Sequence, residues 1–152
     1  MKNIDAKTAA MVWDRVQNAA VPTGDAPAIL NLIEEELVDA AAYLRLARKL
    51  PPPQATIARQ LAQQEQSHAV CLKGIYTLIT GRKAMVPQPA LSDDPPEVVL
   101  RRCYGREMRC LAQYESRANH PEYGQIFARM AQQEREHCRL LLELLGNLPT
   151  EK

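Results

Sequence analysis

Apolar residues return every three or four positions along four long stretches of this chain, the spacing that lines one side of an α-helix. Ile29, Ile33, Leu37, Ala40, Leu44 and Ala47 trace one such stripe. Proline and glycine mark where the stretches begin and end. Asp25 stands as an N-cap with Pro27 in the first turn. The helix they open runs to about Leu50, because Pro51, Pro52 and Pro53 cannot continue it. A second helix covers about 54–80 and ends at Gly81. The segment RKAMVPQPALSDDPP that follows is too rich in proline for regular structure. Asp94, Pro95 and Pro96 open a third helix that reaches about Asn119, and Pro121 starts a fourth that ends near Gly146. A shorter helix over about 5–19, with Met11, Val12, Trp13 and Val16 on its apolar side, precedes these and is broken by VPTGDAP.

These elements predict an all-α fold: an antiparallel four-helix bundle over 26–146, a short helix and linker in 1–25, and a tail at 147–152. Short connections make the first and second helices, and the third and fourth, antiparallel neighbours. The longer proline-rich link can cross between the two pairs. Composition supports the helical reading, since Ala, Leu, Gln, Glu and Arg dominate and aromatics are only 5%. A chain of 152 residues suits one domain with a real core.

Charge narrows the partners. Lys plus Arg number 19 against 18 for Asp plus Glu, a balance that gives no pull toward nucleic acid or an anionic membrane. No stretch has the length and apolarity of a membrane span. The opening MKNIDAKTAAMVWD lacks the apolar run of a signal peptide, so a cytoplasmic location is expected. Cys71, Cys103, Cys110 and Cys138 form no C-x-x-C pair, which leaves a zinc ribbon without support. In a reducing compartment they are expected to be free thiols that pack as small hydrophobes.

The two halves of the chain repeat each other. Residues 61–68 read LAQQEQSH and residues 130–137 read MAQQEREH. Glu36 and Tyr43 recur 71 positions later as Glu107 and Tyr114, while Glu65 and His68 recur 69 positions later as Glu134 and His137. A bundle built this way should have a pseudo-twofold relation between its helical hairpins. Descent from a duplicated hairpin would preserve shared polar residues, but it does not explain why the shared residues are good metal ligands.

Glu65 and His68 lie three apart and so project from one helix face, as do Glu134 and His137. Glu36 and Glu107 add one carboxylate each. Glu36 falls among Ile29, Leu32, Ile33, Ala40 and Tyr43 on the helical wheel and points to the core. Glu35 falls with Asn31, Asp39 and Ala42, a side expected to face water. Glu115, Glu136 and the loop residue His120 are also expected at the surface. The set is then four Glu and two His, enough negative charge to balance two divalent cations. Its oxygen-rich composition suits Fe(II) or Mn(II) better than zinc or copper. Without metal, four buried carboxylates would need protons or basic partners, and no core-facing Arg or Lys is evident near them.

These residues resemble the ferritin-like superfamily, and its rubrerythrin branch in particular. The resemblance rests on Glu36 with Tyr43, Glu65-x-x-His68, Glu107 with Tyr114 and Glu134-x-x-His137, and covers about 26–146. It implies two iron ions, or manganese, held by Glu36, Glu65, His68, Glu107, Glu134 and His137. It also implies an oxidoreductase of peroxidase or ferroxidase type that reduces hydrogen peroxide or dioxygen. Tyr43 and Tyr114 would hydrogen-bond ligand carboxylates. The 152 residues hold no rubredoxin-type C-x-x-C motifs, so electrons would come from a separate donor protein. Tyr104 stands where rubrerythrins tend to carry a further Glu, which leaves a symmetric six-ligand site closer to bacterioferritin or the di-iron monooxygenases. The alternatives are a non-enzymatic iron storage or sensing module, and a di-iron or di-manganese hydroxylase or catalase; a homodimer is expected.

Overall fold

Four helices form where the apolar spacing places them: α1 Ala26–Ala47, α2 Pro52–Thr80, α3 Pro96–Ser116 and α4 Gly124–Gly146. They come from a computed structural model that describes residues 25–149. The expected leading helix with Trp13 lies outside the described residues. Three of the helices open on proline, whose missing N–H costs nothing in a first turn. Helix α2 ends at Gly81, which adopts φ 68° and returns its N–H to the Thr77 carbonyl at 2.8 Å.

The boundaries differ from expectation in instructive ways. Helix α1 stops at Ala47, and a turn carries the chain to Leu50. Asp25 makes no side-chain cap bond. Its carboxylate instead takes Arg117 at 2.7 and 3.1 Å, tying the start of α1 to the end of α3. Helix α4 begins at Gly124 rather than Pro121, because residues 121–123 form turns. A Cβ at Gly124 would sit 2.4 Å from the Ala118 carbonyl oxygen, so this connection closes backbone on backbone.

Helix α1 packs on α2 and α3 on α4, with further contact of α1 to α3 and of α2 to α4. Tyr43 of α1 meets Glu107 of α3 while Tyr114 of α3 meets Glu36 of α1, so these two helices run antiparallel. His68 with Gln133 and His137 with Gln64 give the same sense for α2 and α4. Residues 81–95 must therefore return along the length of the bundle. They end beside the C-terminus of α1, where Lys49 Nζ reaches the carbonyls of Asp93 and Asp94 at 3.5 and 3.4 Å.

The result is an all-helical antiparallel bundle with an internal two-fold pseudo-repeat. Its core divides in two. Ile29, Ile33, Leu72, Ile75, Tyr114 and Phe127 belong to one apolar cluster. Tyr43, Leu46, Leu61, Leu100, Leu141 and Leu144 belong to the other. Each fully buried Leu, Ile or Phe contributes about 1.5–3 kcal/mol. Between the clusters, at mid-height of all four helices, lies a polar layer.

Candidate metal centre

The polar layer consists of Glu36, Glu65, His68, Glu107, Glu134 and His137, none more than 4% exposed. They fall into two overlapping groups, Glu36–Glu65–His68–Glu134 and Glu65–Glu107–Glu134–His137. In each group one ligand atom per residue lies within 4.8 Å of all the others, and each group could hold a metal ion. Glu65 and Glu134 belong to both. His68 Nδ1 stands 3.4 Å from Glu36, 3.3 Å from Glu65 and 2.9 Å from Glu134. His137 Nδ1 stands 2.8 Å from Glu65, 3.4 Å from Glu107 and 3.8 Å from Glu134.

These atoms converge without hydrogen bonds to satisfy them. No donor reaches either oxygen of Glu65 or Glu134, or Oε2 of Glu107, and Nδ1 of both histidines is unpartnered. A buried polar atom left in this state costs about 1–3 kcal/mol, so seven in one layer need a compensating charge. The pattern differs between carboxylates. Tyr114 donates to Glu36 Oε1 and Tyr43 donates to Glu107 Oε1, leaving each of those carboxylates one oxygen for the centre. Glu65 and Glu134, the shared pair, keep both oxygens free. Glu65 and Glu134 are thus the carboxylates that could serve both groups.

The imidazoles are oriented from behind. Nε2 of His68 lies 2.7 Å from Gln133 Oε1, and Nε2 of His137 lies 2.6 Å from Gln64 Oε1. A carbonyl oxygen accepts, so Nε2 carries the proton and the Nδ1 lone pair faces the carboxylates. All four supporting contacts run between the halves of the repeat. Each half completes the ligands of the other.

With no cation present, protons must do the neutralising. Burial, then the neighbouring carboxylates, push Glu65 and Glu134 well above the ordinary carboxyl range. Burial would raise Glu107 too, but the surrounding Glu134, His137 and Glu65 favour its charged form and hold it at about 2. Burial would lower His68, but the Glu36 carboxylate and Gln133 outweigh this and raise it. Burial and the adjacent carboxylates keep Tyr43 and Tyr114 protonated, as donors must be.

Some expectations need correction. Asp39 does not face water. It is 2% exposed and holds Arg106 Nε at 2.6 Å, because α3 covers that side of α1. A half-buried basic partner near the carboxylates therefore exists, although it pairs with Asp39. Glu35 is half-buried, with Cys110 Sγ donating to it at 3.3 Å and Arg109 at 3.6 Å. His120 is half-buried as well: its Nδ1 accepts the backbone N–H of Glu122 and Tyr123 at 3.1 and 3.0 Å, a loop-fixing role. Glu115 and Glu136 are exposed as expected, and the four cysteines are free thiols, three of them buried. Gln64 and Gln133 went unnoticed as supports, although both sit in the repeated AQQE.

No helix among the described residues is long and apolar enough to cross a membrane. Comparison with family models, curated proteins and solved structures yields no match.

Proposed function

We propose that this chain is a di-metal carboxylate protein of the ferritin-like, rubrerythrin-like kind. Its ligands are Glu36, Glu65, His68, Glu107, Glu134 and His137. The observation that carries this is the pairing of unsatisfied buried atoms with a sharing pattern, in which Glu65 and Glu134 alone join both ligand groups. The donor set favours two iron ions, and manganese fits the same oxygens and imidazoles. When bound, the metal pair supplies the electrons that reduce hydrogen peroxide or dioxygen.

The chain's own residues prepare that chemistry. Four carboxylates neutralise two divalent cations in a layer closed above and below by apolar side chains. Tyr43 and Tyr114 fix the terminal carboxylates, and Gln64 and Gln133 fix the imidazole tautomers. The two surface cavities flanking the α1–α3 groove are lined by none of the six ligands, which favours a small oxidant over a bulky organic substrate.

The test is anaerobic loading with Fe(II), metal quantitation, and peroxide consumption with an artificial electron donor. Two iron ions per chain and turnover that Glu134→Ala abolishes are expected. Protein that stays metal-free after iron exposure, or turns over peroxide no faster than the variant, would sink the reading.

A further inference from the structure

The internal two-fold also relates the surroundings of the centre, and there the halves have diverged. Two cavities, about 160 and 190 Å³ in volume, open along the α1–α3 groove. Shifting by 71 positions carries one onto the other: Ala28, Asn31, Glu35 and Gln113 of the second correspond to Val99, Arg102, Arg106 and Ala42 of the first. The cavities thus occupy equivalent places on the surface, one lined by Glu35 beside Glu36 and the other by Arg106 beside Glu107.

Their chemistry is opposite. The cavity on the Glu107 side is lined by Arg45, Lys49, Arg102 and Arg106 together with Asp94, and Arg45 and Arg102 pair with Asp93 and Asp94. Arg106 guards its floor, held on buried Asp39 at 2.6 Å. The cavity on the Glu36 side offers oxygen donors, with Asn31, Glu35 and Gln113 among its lining residues and Arg109 the one cation among the described lining residues. Where one side has Arg106 the other has Glu35, and where one has Asp39 the other has Cys110. Cys110 is buried and donates to Glu35 at 3.3 Å.

We propose that divalent metal enters from the Glu35 side, with Glu35 as its entry ligand, and fills the Glu36–His68 position before the Glu107–His137 position. The inference rests on the di-metal reading and adds an order of loading to it. A hydrated cation meets a carboxylate and amide oxygens beside Glu35, with Arg109 paired to that carboxylate. At the other cavity it meets four cationic side chains, three of them paired with Asp93, Asp94 and Asp39, so the Glu35 side is the less positive of the two.

Stopped-flow loading of the full chain with Co(II), followed by its absorption, tests the entry route. Glu35→Gln should load about tenfold more slowly at low ionic strength, reach the same final two ions per chain, and recover in Glu35→Asp. Mn(II) spin resonance tests the order. One equivalent, frozen promptly after mixing so that the ion has not redistributed, should give the signal of an isolated ion, which Glu107→Gln keeps and Glu36→Gln loses. Loading of Glu35→Gln at the rate of the unsubstituted chain overturns the entry role. A first Mn(II) that survives Glu36→Gln but not Glu107→Gln overturns the order. Failure of the unsubstituted chain to bind either ion overturns the di-metal reading itself.

Discussion

Metal-free protein should lose stability as pH rises from 5 to 7, the reverse of what paired surface carboxylates would give. The cause is the proton count. Glu65 and Glu134 have folded-state values raised well above 4.5 by burial, so across this window the folded chain holds protons that the unfolded chain has released. Stability contributed by such groups is present below the ordinary carboxyl value and disappears as pH rises toward the folded one. Each extra proton gives a slope of about 1.4 kcal/mol per pH unit, so two groups over two units remove up to about 5 kcal/mol, and Asp39, raised by burial in the same way, adds to the loss. That is a large part of a typical domain's 5–15 kcal/mol. His68, raised as well, adds to the loss above its ordinary 6.5. Glu107 acts the other way: held at about 2, it gives stability that is present above 4.5 and lost on acidification toward 2. The metal-free optimum should therefore lie near pH 4–5. Urea unfolding with a chelator present, followed by circular dichroism at pH steps, measures the slope. Glu65→Gln should reduce it by about one proton. A stability that is flat or climbs between pH 5 and 7 would refute the reasoning, because it would mean the buried carboxyls ionise without metal.

Other substitutions probe the supports. Tyr43→Phe and Tyr114→Phe each leave a buried carboxylate oxygen without its donor, and each should cost about 1.5–3 kcal/mol in urea unfolding. Burial holds Asp39 well above the ordinary carboxyl range despite Arg106, so Arg106→Leu leaves a protonated buried carboxyl without its partner and should cost about 1–3 kcal/mol, most of it recovered when Asp39→Leu is added. Gly124→Ala drives a methyl to 2.4 Å from a backbone oxygen and should lower stability by about 1–3 kcal/mol, seen as a lower melting temperature. Gln133→Leu removes the orienting partner of His68 and should weaken metal affinity about 10–100-fold by chelator competition, with helicity unchanged.

Much of the fold was legible because its signals are local. Apolar residues at helical spacing and proline at the first turns placed α1 to α4 to within a few residues. Helix ends were less legible, since Gly124 and Asp25 answer to contacts with Ala118 and Arg117 made only after folding. The six residues of the polar layer were visible through the repeat: the helical wheel points Glu36 to the core, and the match of Glu36 and Tyr43 with Glu107 and Tyr114 settles the choice. Asp39 was misplaced for the matching reason. Its partner Arg106 lies 67 positions away, and nothing in the α1 pattern announces that α3 will cover a polar stripe. The antiparallel sense of α1 and α3, which lets each tyrosine hold the other half's glutamate, likewise appears only in three dimensions.

Anomalous diffraction from crystals grown with Fe(II) or Mn(II) would test the central claim most directly. The account predicts two peaks in the layer bounded by Glu65 and Glu134, one contacting Glu36 and His68, the other Glu107 and His137. A layer without anomalous density in metal-saturated crystals, or metal bound only at other residues, would contradict it.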